Sequence, residues 1–236
     1  EKRRSFLQAY RPGRPASVAF VADGHRSAVI GLTEQLIGRP ELGAHGFTWC
    51  GNVLPLMWAT DEKSSYSSLL KTVQGMADRI TRRFGLRGLN GMDLVVSETV
   101  EGEPTPWLIE VNPRYTASME LIEWAYGLNL FSLHLNALNG HLPDFHLEER
   151  LPPEQSHFFV KAILYARKTV TVPDTARWVE RGRRDVPHPG EVIAAGHPVC
   201  TVLTDGASWN ILWHRLMTEI EAIRREIGDR EEVCSS

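Results

Sequence analysis

The chain has 236 residues, 42% hydrophobic and 23% charged, with a formal net charge of −3 at pH 7. That length holds one large domain or two small ones, and the composition is that of a globular protein with a real core to bury. The charge balance offers no basic face for nucleic acid and no polybasic arm for a membrane surface. No apolar run approaches the length of a membrane span, and Glu1-Lys2-Arg3-Arg4 is not followed by the apolar segment that a secretory signal needs. Cys50, Cys200 and Cys234 are scattered and odd in number, which suits a reducing cytoplasm better than a disulfide framework. The histidines are dispersed as well. His25, His141, His188 and His197 sit beside Gly or Pro and read as surface turn residues.

In chain order, Ser5–Tyr10 is a short β-type run, and Arg11-Pro12-Gly13-Arg14-Pro15 is a turn. Ala16–Ala22 and Ser27–Thr33 read as strands joined by a hairpin at Asp23-Gly24. Gly38–Trp58, rich in Gly, Pro and aromatic residues, predicts a loop with a strand near Phe47–Leu54. Over Ser64–Phe84 the residues Leu69, Val73, Met76, Ala77, Ile80 and Phe84 recur at helical spacing, which predicts a helix with all six in the core. Its serines are N-cap candidates, Gly85 suits the C′ position, and Arg79, Arg82 and Arg83 take the solvent side. Gly88–Val96 is a buried strand carrying one acid, Asp93, whose carboxylate needs a partner. A turn falls within Glu98–Pro106.

Two helices follow the next strand, Thr116–Tyr126 and Asn129–Asn139, closed by Gly127 and Gly140, with Thr116 or Ser118 as cap. Leu142–Pro153, with three prolines, reads as a connection. Phe158–Ala166 and Thr169–Val172 are strand-like, Arg181–Pro189 is a charged loop, and Gly190–Thr204 holds short β-runs joined by tight turns. Ala207–Ile227 is an amphipathic helix with Trp209, Leu212, Trp213, Leu216, Ile220, Ile223 and Ile227 on one face and Arg224, Arg225 and Glu226 on the other. It docks on the β-rich part; the same stripe offers a surface for a homodimer.

The chemistry concentrates at Trp107–Glu120, WLIEVNPRYTASME. Pro113 ends the strand, and alternation puts Glu110 and Asn112 on one face with Arg114 just past the end. A carboxylate and an amide oxygen at this spacing suit a hard cation on nucleotide phosphates, and the arginine is placed to neutralise a phosphoryl group. A solvated strand end is the plain alternative.

In context the stretch resembles the metal-binding strand of the ATP-grasp superfamily, an apolar run ending in E-[VIM]-N-[PT]-R. The resemblance implies that Glu110 and Asn112 bind Mg²⁺, or Mn²⁺ in its place, with Asp93 as a further ligand from the antiparallel neighbouring strand, and that Arg114 contacts the γ-phosphate of ATP. It implies that Leu7–Gly13 is the adenine hinge, with Gln8, Ala9, Tyr10 and Arg11 beside the base, and that Glu34 and Gln35 face the phosphates. Gln8 stands where Glu is common, and no acid near Pro15 holds the ribose. The implied fold class is α+β: an ATP-grasp-type antiparallel sheet with packed helices over residues 1–141, a linker at 142–156, and a small β-rich cap with a terminal helix over 157–236. The cap resembles that of biotin-carboxylase relatives, although the Ala-Met-Lys-Met biotin motif is absent.

The superfamily also has a lysine-bearing strand and phosphate loop before the hinge, and nothing of that kind precedes Gln8. The expected partner is therefore the remaining N-terminal half, upstream in the same polypeptide or on another chain. The implied activity is an ATP-dependent carboxylate–amine ligase that forms an acyl phosphate and then an amide. The alternatives are bicarbonate activation of the biotin-carboxylase kind, and a non-catalytic nucleotide-binding module.

Overall fold

The computed structural model describes residues 7–56, 63–98, 103–150 and 157–229. Among the described residues nine strands form in chain order: β1 (Arg14–Asp23), β2 (Ser27–Ile37), β3 (Trp49–Leu54), β4 (Arg87–Glu98), β5 (Pro104–Asn112), β6 (Phe158–Tyr165), β7 (Val170–Thr171), β8 (Val192–Ile193) and β9 (Pro198–Gly206). The helices are α1 (Lys63–Phe84), α2 (Met119–Tyr126), α3 (Leu130–Leu138), α4 (Ala176–Glu180) and α5 (Trp209–Glu226). Seven strands make one sheet in the order β5-β4-β1-β2-β3-β6-β9, with antiparallel neighbours throughout. The fold is thus α+β with a large antiparallel sheet and packed helices.

β1 is buried along Ala16–Asp23 because strands flank it and helices cover it. Around it, β2, β4, α1, α2 and α3 close a first core containing Phe20, Ile30, Leu69, Met92 and Leu121. A second core joins Leu36, Cys50 and Val53 to β6, β9 and the buried face of α5. Each core has its own helices, yet one sheet runs through both: Val53 of β3 pairs with Val160 of β6, and Ala162 of β6 with Val202 of β9.

Several local expectations change. Residues 7–12 are exposed coil rather than strand, Ser5 and Phe6 lie outside the described residues, and the sheet begins at Arg14. β2 runs on to Ile37 instead of ending at Thr33. α1 buries Leu69, Val73 and Ala77, but Phe84 is 70% exposed, with the Arg83 guanidinium 5.8 Å from its ring. α2 starts at Met119. Ser118 is its N-cap residue but makes no side-chain capping bond, its hydroxyl lying 3.2 Å from that of Thr116.

Arg224, expected on the solvent side of α5, is fully buried. Gly228 turns the chain back so that Asp229 meets Arg224 Nη1 at 2.6 Å. The unforeseen α4 buries Trp178, which donates to Glu226. Cys50 and Cys200 are free and buried, and burial pushes the Cys200 thiol up to about 12; Cys234 and Trp58 lie outside the described residues. No helix among the described residues is long and apolar enough to cross a membrane.

Candidate functional site

The site grows from the register of three strands. Directly paired residues share a sheet face, and Ser17 pairs with Asp93, which pairs with Glu110. Two carboxylates meet there because of a bulge. Asp93 pairs with Glu110 but Leu94 pairs with Leu108, so Ile109 is the extra residue that re-aims Glu110. Asn112, two residues on, reaches back: its Nδ2 donates to Glu110 Oε1 at 2.9 Å and to Asp93 Oδ2 at 3.2 Å. Arg114 Nη2 donates to Asn112 Oδ1 at 3.1 Å, and its Nη1 donates to the Tyr115 carbonyl. Asp93, Glu110, Asn112 and Arg114 are therefore one hydrogen-bonded group.

Asp93 has further partners. The Ser17 hydroxyl donates to its Oδ1 at 2.8 Å, and Gln35 Nε2 donates to the same oxygen at 2.9 Å and to Ser17 at 2.6 Å. Because β2 continues through this point, Gln35 faces Asp93. Glu34 faces the opposite side of the sheet, where it lies 3.5 Å from Arg14, and is not brought to the acids. Burial raises the pKa of Asp93 above the usual carboxylate value, and the adjacent Glu110 adds to this against the Ser17 bond. Glu110 is held low, first by Asn112 and then by its hydrogen bond with Asp93.

The polar row continues across the sheet. Thr33 pairs with Ser17, Gln35 with Asn52, and Asn52 with Lys161. Asn52 Nδ2 donates to Thr33 Oγ1 at 2.9 Å, and Trp49 Nε1 donates to Asn52 Oδ1 at 3.1 Å. A cavity of about 540 Å³ lies over this row, lined by the acids and Arg114 on the β4–β5 side and by Asn52 and Trp49 of β3; Val95 and Ile109 supply apolar wall. A larger cleft of about 700 Å³ lies between α1 and residues 145–149, away from the acids.

The residues expected at the hinge, Gln8, Ala9, Tyr10 and Arg11, are exposed and do not line this cavity; Arg11 stacks on Trp107 of β5, 3.9 Å from the ring centre. Sequence reasoning missed Ser17, Asn52 and Trp49. Ser17 left a signal, a hydroxyl inside the otherwise apolar run Ala16–Ala22. The donors gathered here are all oxygen carriers, two carboxylates and an amide, and two acids in hydrogen-bond contact are relieved by a cation between them. The set fits a hard divalent ion such as Mg²⁺.

The sheet thus presents two acids, an amide and an arginine as one hydrogen-bonded group beside a cavity. A model of the ATP-grasp domain family matches residues 1–118, and the chain belongs to that family. Members of the family use ATP and Mg²⁺.

The fold is also that of solved ATP-grasp structures. An L-amino acid ligase from Bacillus licheniformis matches with a TM-score of 0.62 and 16% identity over 89% of this chain and 53% of that one. The Kluyveromyces lactis urea carboxylase matches with a TM-score of 0.58 and 16% identity over 86% of this chain and 17% of that one. Among curated sequences, an uncharacterized protein of Methanocaldococcus jannaschii is 23% identical over 154 residues, which is 65% of this chain and 35% of the relative. The chain thus spans about a third of the curated relative it matches.

Proposed function

We propose that this chain carries the catalytic site of an ATP-dependent ligase that activates a carboxylate as an acyl phosphate and passes it to an amine, releasing ADP and phosphate. The observation that carries this reading is the Asp93–Glu110–Asn112–Arg114 group, assembled from two strands by a bulge at one end of a cavity large enough for a nucleotide's phosphates and an acceptor. Asp93, Glu110 and Asn112 would hold Mg²⁺, which when bound neutralises the phosphate oxygens.

In the present arrangement Asn112 gives its Nδ2 to the acids and its oxygen to Arg114. With Asn112 given over to the cation, Arg114 would be free to meet a phosphoryl group. Arg114 then stabilises the negative charge that spreads over the group in transfer. Val95 and Ile109 offer the apolar wall for the base, and the neutral end at Asn52 and Trp49 receives the acceptor.

The test uses the full-length polypeptide with Mg²⁺ and ATP, screening ADP release against carboxylates alone, amines alone, pairs of the two, and bicarbonate. Release that requires a carboxylate and rises with an amine supports the ligase. Release with bicarbonate and no amine transfers the reading to carboxyphosphate chemistry. ATP binding without turnover on any of them leaves a binding module.

A further inference from the structure

Lys161 lies in the middle of β6, 8% exposed, between the buried Val160 and Ala162. A lysine is rarely placed so deep unless it is paired. Its Nζ donates to Glu120 Oε2 at 2.5 Å and to the Ala117 carbonyl at 3.4 Å. Those partners bracket the entry to α2, directly after the irregular segment that carries Arg114. The other Glu120 oxygen lies 3.4 Å from Arg184 Nε.

Arg184 is itself presented by a fixed turn. It exchanges two 2.9 Å backbone hydrogen bonds with Thr201 of β9, and Asp185 beside it accepts the Thr201 hydroxyl at 2.7 Å. Asp185 has φ 51, a conformation that only a few per cent of non-glycine residues adopt. Two cations, Lys161 of β6 and Arg184 of the turn bonded to β9, thus converge on one carboxylate at the foot of the Arg114 segment. The family model ends at residue 118, so this contact joins the matched region to residues beyond it.

We propose that Lys161, acting through Ala117 and Glu120 with Arg184 in support, is a positioning residue that sets where Arg114 points. The inference rests on the reading of Arg114 as a γ-phosphate ligand. Arg114's own bonds are local, to Asn112 and to the carbonyl of Tyr115, so they move with the segment. What anchors the segment from outside is the sheet: Thr116 against Gly91 on one side, and the Lys161 link on the other. Without Lys161, Glu120 keeps only the more exposed Arg184, and the carbonyl of Ala117 loses its donor.

The test measures ATP and ADP affinities with Mg²⁺ in the full-length protein for wild type, Arg114→Ala, Lys161→Met, Lys161→Arg and Glu120→Gln. The preference for ATP over ADP reports contact with the γ-phosphate. Arg114→Ala should reduce that preference about tenfold, the scale of one charge-assisted hydrogen bond. Lys161→Met and Glu120→Gln should reduce it in the same direction while ADP affinity holds, and Lys161→Arg should recover most of it. A merely structural role would lower both affinities together.

If Lys161→Met does not fold, Glu120→Gln decides, because that side chain is partly exposed and keeps its shape. A preference lost in Arg114→Ala but kept in Lys161→Met and Glu120→Gln overturns the positioning role and leaves the ligase reading standing. If Arg114→Ala also keeps the wild-type preference, the γ-phosphate reading fails and the positioning role falls with it.

Discussion

Gly91→Ala tests the packing that seats the Arg114 segment. Gly91 lies on β4, two residues before Asp93, and a Cβ there would stand 2.6 Å from Thr116 Cγ2 and 3.4 Å from Thr116 Oγ1. Relief to an ordinary carbon–carbon contact of roughly 3.5–4.0 Å needs a shift of about 1 Å. Thr116 has little rotamer freedom to supply it, being β-branched, so the segment between Pro113 and Ser118 must move. Overpacking of this kind costs about 1–3 kcal/mol, offset by about 0.4–1 kcal/mol because alanine restricts the unfolded chain.

The expected net loss is on the order of 1–2 kcal/mol in urea unfolding. Thr116→Ser removes the clashing methyl and keeps the hydroxyl that lies at a tolerable distance. In a double-mutant cycle it should recover most of the loss, with a coupling of about 1 kcal/mol. Equal midpoints for Gly91→Ala with and without Thr116→Ser would refute the contact.

Arg224→Met should cost about 3–5 kcal/mol, because it strands the carboxylate of Asp229 where both side chains are 1% exposed; thermal or urea unfolding measures it. Phe84→Ser should change stability by less than about 0.5 kcal/mol, as the ring is mostly in solvent, whereas Leu69→Ala, fully buried on the same helix, should cost about 2–5 kcal/mol. Asp23 is raised by burial, but the N–H groups of Arg26 and His25, at 2.7 and 2.8 Å, outweigh this and hold its pKa below the ordinary value. The stability it contributes is therefore complete above the unfolded value of about 3.9. It fades as the pH falls toward the lower folded value. The difference between wild type and Asp23→Ala should be largest near neutrality and should shrink in acid.

The sequence carried the chemistry of this site more legibly than its assembly. Glu110, Asn112 and Arg114 are local, and the rule that strand side chains alternate is enough to group them. Asp93 announced itself as an acid in an apolar strand, which physics does not leave unpartnered. The bulge at Ile109 that turns Glu110 toward Asp93 has no periodic signature, since one extra residue breaks the pattern that would reveal it. Gln35 and Asn52 depend on where β2 stops and which strand lies beside it, and both are decided by distant pairing.

Helical spacing placed Phe84 in line with Leu69 and Val73, yet the ring is 70% exposed, because spacing gives a face and not how far along it the burial runs. Arg224 reads as solvent-facing until Gly228 returns Asp229 to it. The largest gap concerns β6: its pairing with β3 spans more than a hundred residues, and it turns Lys161 from a charge on a distant strand into a neighbour of α2.

The most direct measurement is calorimetric titration of ATP into the full-length protein with and without Mg²⁺, repeated on Glu110→Ala. Binding that strengthens with Mg²⁺ in wild type, and loses that Mg²⁺ dependence in Glu110→Ala while the fold is retained, is the predicted result. Equal Mg²⁺ dependence in the two proteins would contradict the assignment of Asp93, Glu110 and Asn112 as the cation site, and with it the ligase chemistry built on them.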